Sequence, residues 1–213
     1  METLRSIDCI QCQPRQKSIF CDLTHPELQY IKDHKVTKVY KKKDMVFHEG
    51  DKPQGLFCVF SGLIKIYKSS SDGKDQIVRL AKGGDVLGYR SFFSGEPYAG
   101  SAQAIEDSTI CFIDREGMEK LIQKSPALVY SFLKRVCSEL RTAEEKFQDL
   151  LEKTVEERVA HLLSLLVEKN NSHLKLPLSR EEIASLVGAR PETVIRVFSS
   201  WKEKGFGKNL EFR

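Results

Sequence analysis

A length of 213 residues is more than one small core needs and enough for two, so two domains are the starting expectation. Apolar residues at 40% and charged residues at 30% suit a folded, water-compatible chain, and no apolar run approaches the roughly 18 residues that cross a bilayer, which argues for a cytoplasmic location and against a membrane partner. A net charge of +4 is too small to point to nucleic acid by itself.

The opening stretch, Met1 to Asp8, carries acids and lacks the basic start, apolar middle and small-residue cleavage site of an export signal. In a reducing compartment the six cysteines are poor candidates for structural disulfides and better ones for metal ligation, redox chemistry or burial. Cys9-x-x-Cys12 and Cys21 set residues 1–27 apart as a cysteine-bearing segment. Residues 28–120 form the next domain, with strands between 35 and 115. The runs Gly55 to Phe60, Leu63 to Tyr67, Gln76 to Leu80 and Thr109 to Ile113 alternate with turn-prone pairs such as Ser61-Gly62 and Gly83-Gly84. Short strands at spacings near ten residues suggest a barrel or roll.

After Asp114 the apolar period lengthens from two to about 3.5. Val129, Leu133, Val136, Leu140, Ala143, Phe147 and Leu150 alternate in steps of four and three, a heptad seam on a helix placed at 121–151. Such a stripe zips to a second copy or packs on this chain's own roll; its length favours the homodimer. A second helix over 155–168 buries Val159, Leu162, Leu163, Leu166 and Val167, and opens the last domain, 152–213.

Between Leu178 and Trp201 lies a helix-turn-helix. Ser179-Arg-Glu-Glu182 is a capping box, Ile183, Leu186 and Val187 form an apolar face, Ala184 leaves room for a crossing helix, and Gly188 sits where the chain must turn. Pro191 suits the first turn of a second helix, on which Val194, Val197, Phe198 and Trp201 face inward. Glu192, Ile195, Arg196 and Ser199 then face outward, the arrangement that reads base edges in a major groove. Arginine forks onto guanine, glutamate accepts from cytosine N4, and isoleucine meets a thymine methyl; the alternative is an exposed salt bridge that reads nothing. Ser179, Arg190, Pro191, Glu192, Ile195, Arg196, Ser199 and Lys202 are the candidate contacts to double-stranded DNA. No phosphate-cradling glycine loop, nucleophile elbow or thioredoxin-like context is present, so an enzyme is not expected.

Val46-Phe-His-Glu-Gly-Asp51 with Gly62-Leu-Ile-Lys65, Gly84-Asp-Val-Leu-Gly88 with Ala104 to Ile113, and Gly188-Ala-Arg-Pro-Glu-Thr-Val-Ile-Arg196 together resemble the CRP/FNR superfamily of bacterial regulators over nearly the whole chain. The resemblance implies an α+β fold: a cyclic-nucleotide-binding-type, jelly-roll-like β-roll, a long dimerisation helix and a winged helix-turn-helix. It also implies a homodimer on a palindromic operator, with RNA polymerase as a further partner. Members that bind cAMP carry a glutamate shortly after the Gly-Asp turn and an Arg-Ser pair near the end of the phosphate cassette. Tyr89 and Tyr98-Ala99 take those places here, and tyrosine and alanine cannot neutralise a phosphate, which argues against cAMP. Gly88, Tyr89, Arg90, Ser91, Tyr98 and Ala99 remain the candidate effector pocket, with Arg90-Ser91 read as an exposed turn.

Members of the family also continue past the recognition helix into a β-hairpin wing. Here Phe206 to Arg213 follow, so the wing is expected to be shortened, with affinity resting on Lys202, Lys204, Lys208 and the recognition helix. A curtailed wing leaves a second reading open, a dimeric ligand-sensing module with weak or no DNA binding. Cys9, Cys12 and Cys21 resemble the FNR branch, where an N-terminal cluster and one β-roll cysteine hold a [4Fe-4S] cluster; Cys111 falls at the fourth position. Eight residues separate Cys12 from Cys21 where the branch has five, a difference that costs little loop entropy. The alternatives are that the N-terminal thiols bind zinc or nothing, and that Cys111, like Cys58 and Cys137, is simply buried. Haem is the remaining sensor option, and none of the five histidines stands out as an axial ligand.

Overall fold

The computed structural model of the chain describes residues 7–69, 73, 75–166, 174–206 and 210–212. A 3-10 turn at Pro14–Lys17 leads to α1 (His25–His34), then β1 (Lys35–Tyr40), β2 (Met45–Phe47), β3 (Gly55–Ser61), β4 (Leu63–Ser69), β5 (Asp75–Lys82) and β6 (Val86–Leu87). Helix α2 (Tyr89–Ser94) precedes β7 (Ser101–Ala104) and β8 (Ser108–Asp114). The rest is α3 (Arg115–Lys124), α4 (Pro126–Glu152), α5 (Val155–Leu166), β9 (Leu174–Leu176), α6 (Arg180–Val187), α7 (Pro191–Glu203) and β10 (Leu210–Phe212). No helix among the described residues is long and apolar enough to cross a membrane.

The chain divides into two compact units. The first takes it up to Lys68 and again from Val78 to Glu139; the second takes Ser69–Ile77 and everything from Leu140 onward. The division falls inside the long helix rather than at either end of the 121–151 segment.

In the first unit the strands form two four-stranded sheets, ordered β1-β8-β3-β6 and β2-β7-β4-β5. Strand parity sorts their side chains. Phe57 and Val59 of β3 join Phe47, Ile64, Ile66, Ala102 and Ile110 in the core between the sheets. Leu56 of β3 and Ile113 of β8 point the other way, into a second core with Leu28 and Ile31 of α1, Met118 and Leu121 of α3, and Leu128 and Phe132 of α4. The result is the β-roll expected from the strand spacing, with helices covering one face.

The helix expected from residue 121 begins instead at Pro126, and Leu121 to Lys124 belong to α3. Proline lacks the N–H that would continue α3 and crowds the residue before it out of helical backbone, while its fixed φ suits the first turn of a new helix. Ser125 accordingly breaks the run with φ −126° and ψ 86°. In the second unit α5, α6 and α7 pack on one another around Val159, Leu163, Ile183, Ala184, Val194 and Phe198. Leu162 and Leu166 are half-buried at the edge of this core, and Val167 lies outside the described residues. The strand after α7 does not make a hairpin with its own neighbour; it pairs in parallel with β9, Leu210 opposite Leu174 and Phe212 opposite Leu176.

Candidate DNA-reading helix and sensor cavities

The helix-turn-helix is built by local chemistry. Ser179 Oγ accepts from the Glu182 amide at 3.1 Å and Glu182 Oε2 accepts from the Ser179 amide at 2.9 Å, which closes the capping box and starts α6. The Ser179 hydroxyl is thus engaged in holding the helix end. Gly188 ends α6 at φ +63°, a left-handed conformation that costs glycine nothing, and a Cβ there would meet Leu150 at 2.8 Å. Arg158 donates from Nε to Val187 O at 2.9 Å and from Nη1 to Lys153 O at 2.7 Å, tying the ends of α4 and α6 together.

Pro191 occupies the first turn of α7, with Val194 fully buried beneath it and Phe198 nearly so. Val197 and Trp201 are half-buried, and Trp201 Nε1–H donates to Glu156 Oε1 at 2.6 Å. Arg190, Glu192, Ile195, Arg196, Ser199, Lys202 and Lys204 are all exposed, Ile195 at 41%, while Pro191 is half-buried. Arg196 Nη2 donates to Thr193 Oγ1 at 3.4 Å, and no ion pair joins Glu192 to Arg196 among the described residues, so the two side chains are not consumed by each other. Lys208 lies outside the described residues.

On α4 the heptad positions separate cleanly. Leu128 and Phe132 are buried, whereas Val129, Leu133, Val136, Leu140, Phe147 and Leu150 are between 42% and 64% exposed and Ala143 is exposed with them. Val129, Leu133 and Val136, which lie in the same unit as the roll, are therefore not covered by it.

Six residues singled out as an effector pocket, Gly88, Tyr89, Arg90, Ser91, Tyr98 and Ala99, do line one cavity of about 250 Å³, together with Phe47, Ile66, Leu87 and Arg79. Arg90 is exposed, but the pair is helical rather than an irregular turn, and Ser91 is buried. They form the first turn of α2, where the Ser91 hydroxyl donates to Pro97 O at 3.1 Å. Gly88 sets the helix up at φ +85°, and a side chain there would press on the Tyr98 ring at 3.2 Å. Tyr98 stacks on Phe47 with ring centroids 4.0 Å apart.

A chain of ion pairs backs this cavity, and sequence reading had no sign of it. Arg79 of β5 pairs with Glu139 of α4; Arg135 reaches the same carboxylate at 2.9 Å and Asp85 at 2.6 Å. Burial pushes the Tyr89 hydroxyl up to about 12, and the neighbouring Glu139 carboxylate pushes the same way. Burial would also raise Glu139, but Arg79, the Tyr89 hydroxyl and Arg135 together outweigh it and hold the carboxyl below its ordinary range.

The predicted cysteine set comes together only in part. Cys9, Cys12 and Cys111 line one small cavity of about 60 Å³, but the fourth thiol there is Cys58, and Cys21 is exposed and absent from it. Phe20, beside Cys21 in the chain, is buried in the helical-side core, while Cys21 itself is exposed. Lys35 stands among the thiols with Nζ 3.6 Å from Cys111 Sγ, and Thr37 Oγ1 lies 3.6 Å from the same sulfur. Burial raises the Cys9 thiol, partly offset by Lys35, and raises Cys58 well above the usual range, with Cys111 and Cys9 adding to it. Cys9, Cys12, Cys21 and Cys111 therefore do not fit one centre as placed, and among the described residues no three His, Cys, Asp or Glu side chains converge on a metal position. Cys137 is exposed on α4 rather than buried.

A β-roll carrying open cavities, a long helix with an exposed apolar seam, and a helix-turn-helix with a polar outward face define a DNA-binding regulator with a separate β-rich domain. Residues 37–125 match the cyclic nucleotide-binding domain family and residues 157–210 the Crp-like helix-turn-helix domain family. The chain is 30% identical over 172 residues to the anaerobic regulatory protein of Bacillus subtilis, covering 78% of this chain and 72% of that one. It is 27% identical over 208 residues to the fumarate and nitrate reduction regulatory protein of Escherichia coli, covering 94% and 82%. The solved structure of FixK2 from Bradyrhizobium japonicum is 28% identical with a TM-score of 0.71, over 80% of this chain and 86% of that one. The chain belongs to the CRP/FNR superfamily, whose members are transcription regulators and not enzymes.

Proposed function

We propose that the protein acts in the cytoplasm as a homodimer, joined along the α4 seam, that binds a palindromic DNA operator and contacts RNA polymerase in response to a redox or small-molecule signal. The observation that carries the reading is the outer face of α7: Glu192, Ile195, Arg196 and Ser199 are presented to solvent on a helix whose back is fixed by Val194 and Phe198. The names of the two curated relatives connect them to anaerobic regulation and to fumarate and nitrate reduction, which favours the redox branch of the signal. cAMP is disfavoured as the effector, because Tyr89, Tyr98 and Ala99 stand in the cavity wall and Arg79 is already held by Glu139.

Selection of binding sites from a randomised duplex pool, followed by anisotropy titration, tests the reading. An enriched palindrome is expected, bound at least about tenfold more weakly by Arg196→Ala, with unselected duplex affected little. No enrichment, with indifference to Arg196→Ala, would overturn the reading and favour a ligand-sensing dimer that does not bind DNA.

A further inference from the structure

Register decides which residues of the outermost strand face the interior of the roll. Val36 stands opposite Phe112 and Lys38 opposite Ile110 across the β1 and β8 pair, and those two partners stand opposite Phe57 and Val59 of β3. Phe57, Val59 and Ile110 belong to the core between the sheets, so Val36, Lys38 and Tyr40 face the same way. A position turned toward that core is expected to be apolar and covered. Here one of the three is an ammonium and the cover is incomplete: Val36 is 45% exposed, and Lys38, Tyr40 and Phe112 are half-buried. The reason is topological. Strands β1 and β2 are the outer strands of their two sheets, joined by the turn at 41–44, and β2 has only three residues with which to roof the six of β1.

What this leaves is an open cleft of about 540 Å³ at the edge of the roll, larger than the cavity of about 250 Å³ described above. Tyr40, Phe57 and Phe112 line it, and the stacked rings of Phe47 and Tyr98 line both spaces and so lie between them. A cleft of this volume with aromatic walls and a few polar groups suits a small molecule rather than a protein surface. Lys38, Lys52 and His48 are its basic residues, and neither lysine has an ion pair among the described residues. The carboxylate in the lining, Asp51, already accepts from the His48 amide at 3.0 Å. The loop carrying these groups is held in place, because the Gly50 amide donates to Tyr98 O and the Tyr98 amide to Asp51 O, each at 2.9 Å. An inward lysine on an edge strand discourages pairing with other sheets, which accounts for Lys38 alone and not for Lys52 or the uncovered rings. Rings that are only half-buried favour a flat aromatic occupant, and unpaired ammonium groups favour an anion. We propose that this cleft binds a small planar aromatic carboxylate, its ring against Tyr40 and Phe112 and its acid group met by Lys38 and Lys52. The site is separate from the candidate effector cavity and goes beyond the operator reading, since its occupancy is measured on protein without DNA.

The test is isothermal titration of the full chain with 2-naphthoate, with its neutral amide and with octanoate. Saturable binding of about one naphthoate per chain is expected, with a dissociation constant on the order of 0.1 mM. The amide, which keeps the rings and loses the charge, should bind about tenfold more weakly, and octanoate, which keeps the charge and loses the rings, should do the same. Lys38→Gln with Lys52→Gln should weaken naphthoate about tenfold and leave the amide unchanged. The comparison of naphthoate with its amide reads the same charge effect on the unmutated protein, so the test holds even if the double variant folds poorly. No saturable naphthoate binding by about 2 mM, or equal binding of acid and amide, would overturn the site. Octanoate binding as tightly as naphthoate would overturn the aromatic class of ligand. Binding lost in Arg90→Gln and kept in the lysine variant would move the ligand to the smaller cavity and overturn the assignment. None of these outcomes bears on the palindrome, which has its own experiment.

Discussion

Two guanidiniums share the Glu139 carboxylate, and the pH at which that sharing ends follows from its charge. Glu139 is held below the ordinary carboxylate range because its ion pairs outweigh the burial that opposes them. A folded value below the unfolded one, roughly 4.3, means that the folded state binds fewer protons. The stabilisation is therefore complete above that unfolded value and drains away as pH falls through the depressed folded one. Glu139→Gln removes the charge and leaves Arg79 and Arg135, both partly buried, with an amide that satisfies only part of their demand. We expect a loss of about 1–3 kcal/mol in urea unfolding at neutral pH that shrinks in acid, as pH falls through the depressed folded value. An equal loss at both pH values would show that packing, not charge, is what the substitution removed.

Helix α4 leaves its apolar seam uncovered, and an element with one wet hydrophobic stripe and one buried face is asking for a partner. Leu133→Lys with Leu140→Lys places two ammonium groups in the middle of that stripe at positions 57% and 60% exposed in the single chain. Sedimentation equilibrium should show dimer association weakened by about a hundredfold or more, with helical content unchanged because both leucines are exposed in the single chain. A dimer of unaltered strength would place the interface elsewhere. What was legible at this scale was local: the capping box at Ser179, the turn at Gly188 and the 3.5-residue period each announce themselves within a few residues. Apolar spacing alone does not separate α3 from α4, and the break between them comes from Pro126, which a period of 3.5 does not register. The roles of Cys58 and of the Arg79–Glu139 pair were not legible, since both depend on which distant segments register against each other. Strand parity in Gly55 to Phe60 does place Cys58 on the face of Leu56 and opposite to Phe57, and only the pairing with β8 brings it opposite Cys111.

For the whole molecule, the number of phosphates reached by two copies sets how steeply DNA binding falls with salt. A net charge of +4 makes this no polycation, so affinity depends on cations placed beside the reading helices. Arg190, Lys202 and Lys204 are exposed at or next to α7, and the proposed reading gives Arg196 to the bases. If about three such cations per protomer reach phosphates, the dimer neutralises about six and the slope of log affinity against log salt is about −5. Lys202→Ala removes one contact from each protomer; the slope should flatten by about 2, and selected and unselected duplexes should weaken alike. Arg196→Ala should leave the slope nearly unchanged and penalise the selected palindrome alone. Anisotropy titrations between about 50 and 200 mM salt separate the two effects. A slope of about −10 for the unmutated protein would mean that twice as many phosphates are touched as these cations provide, and the source would have to be a surface other than α7 and its flanks.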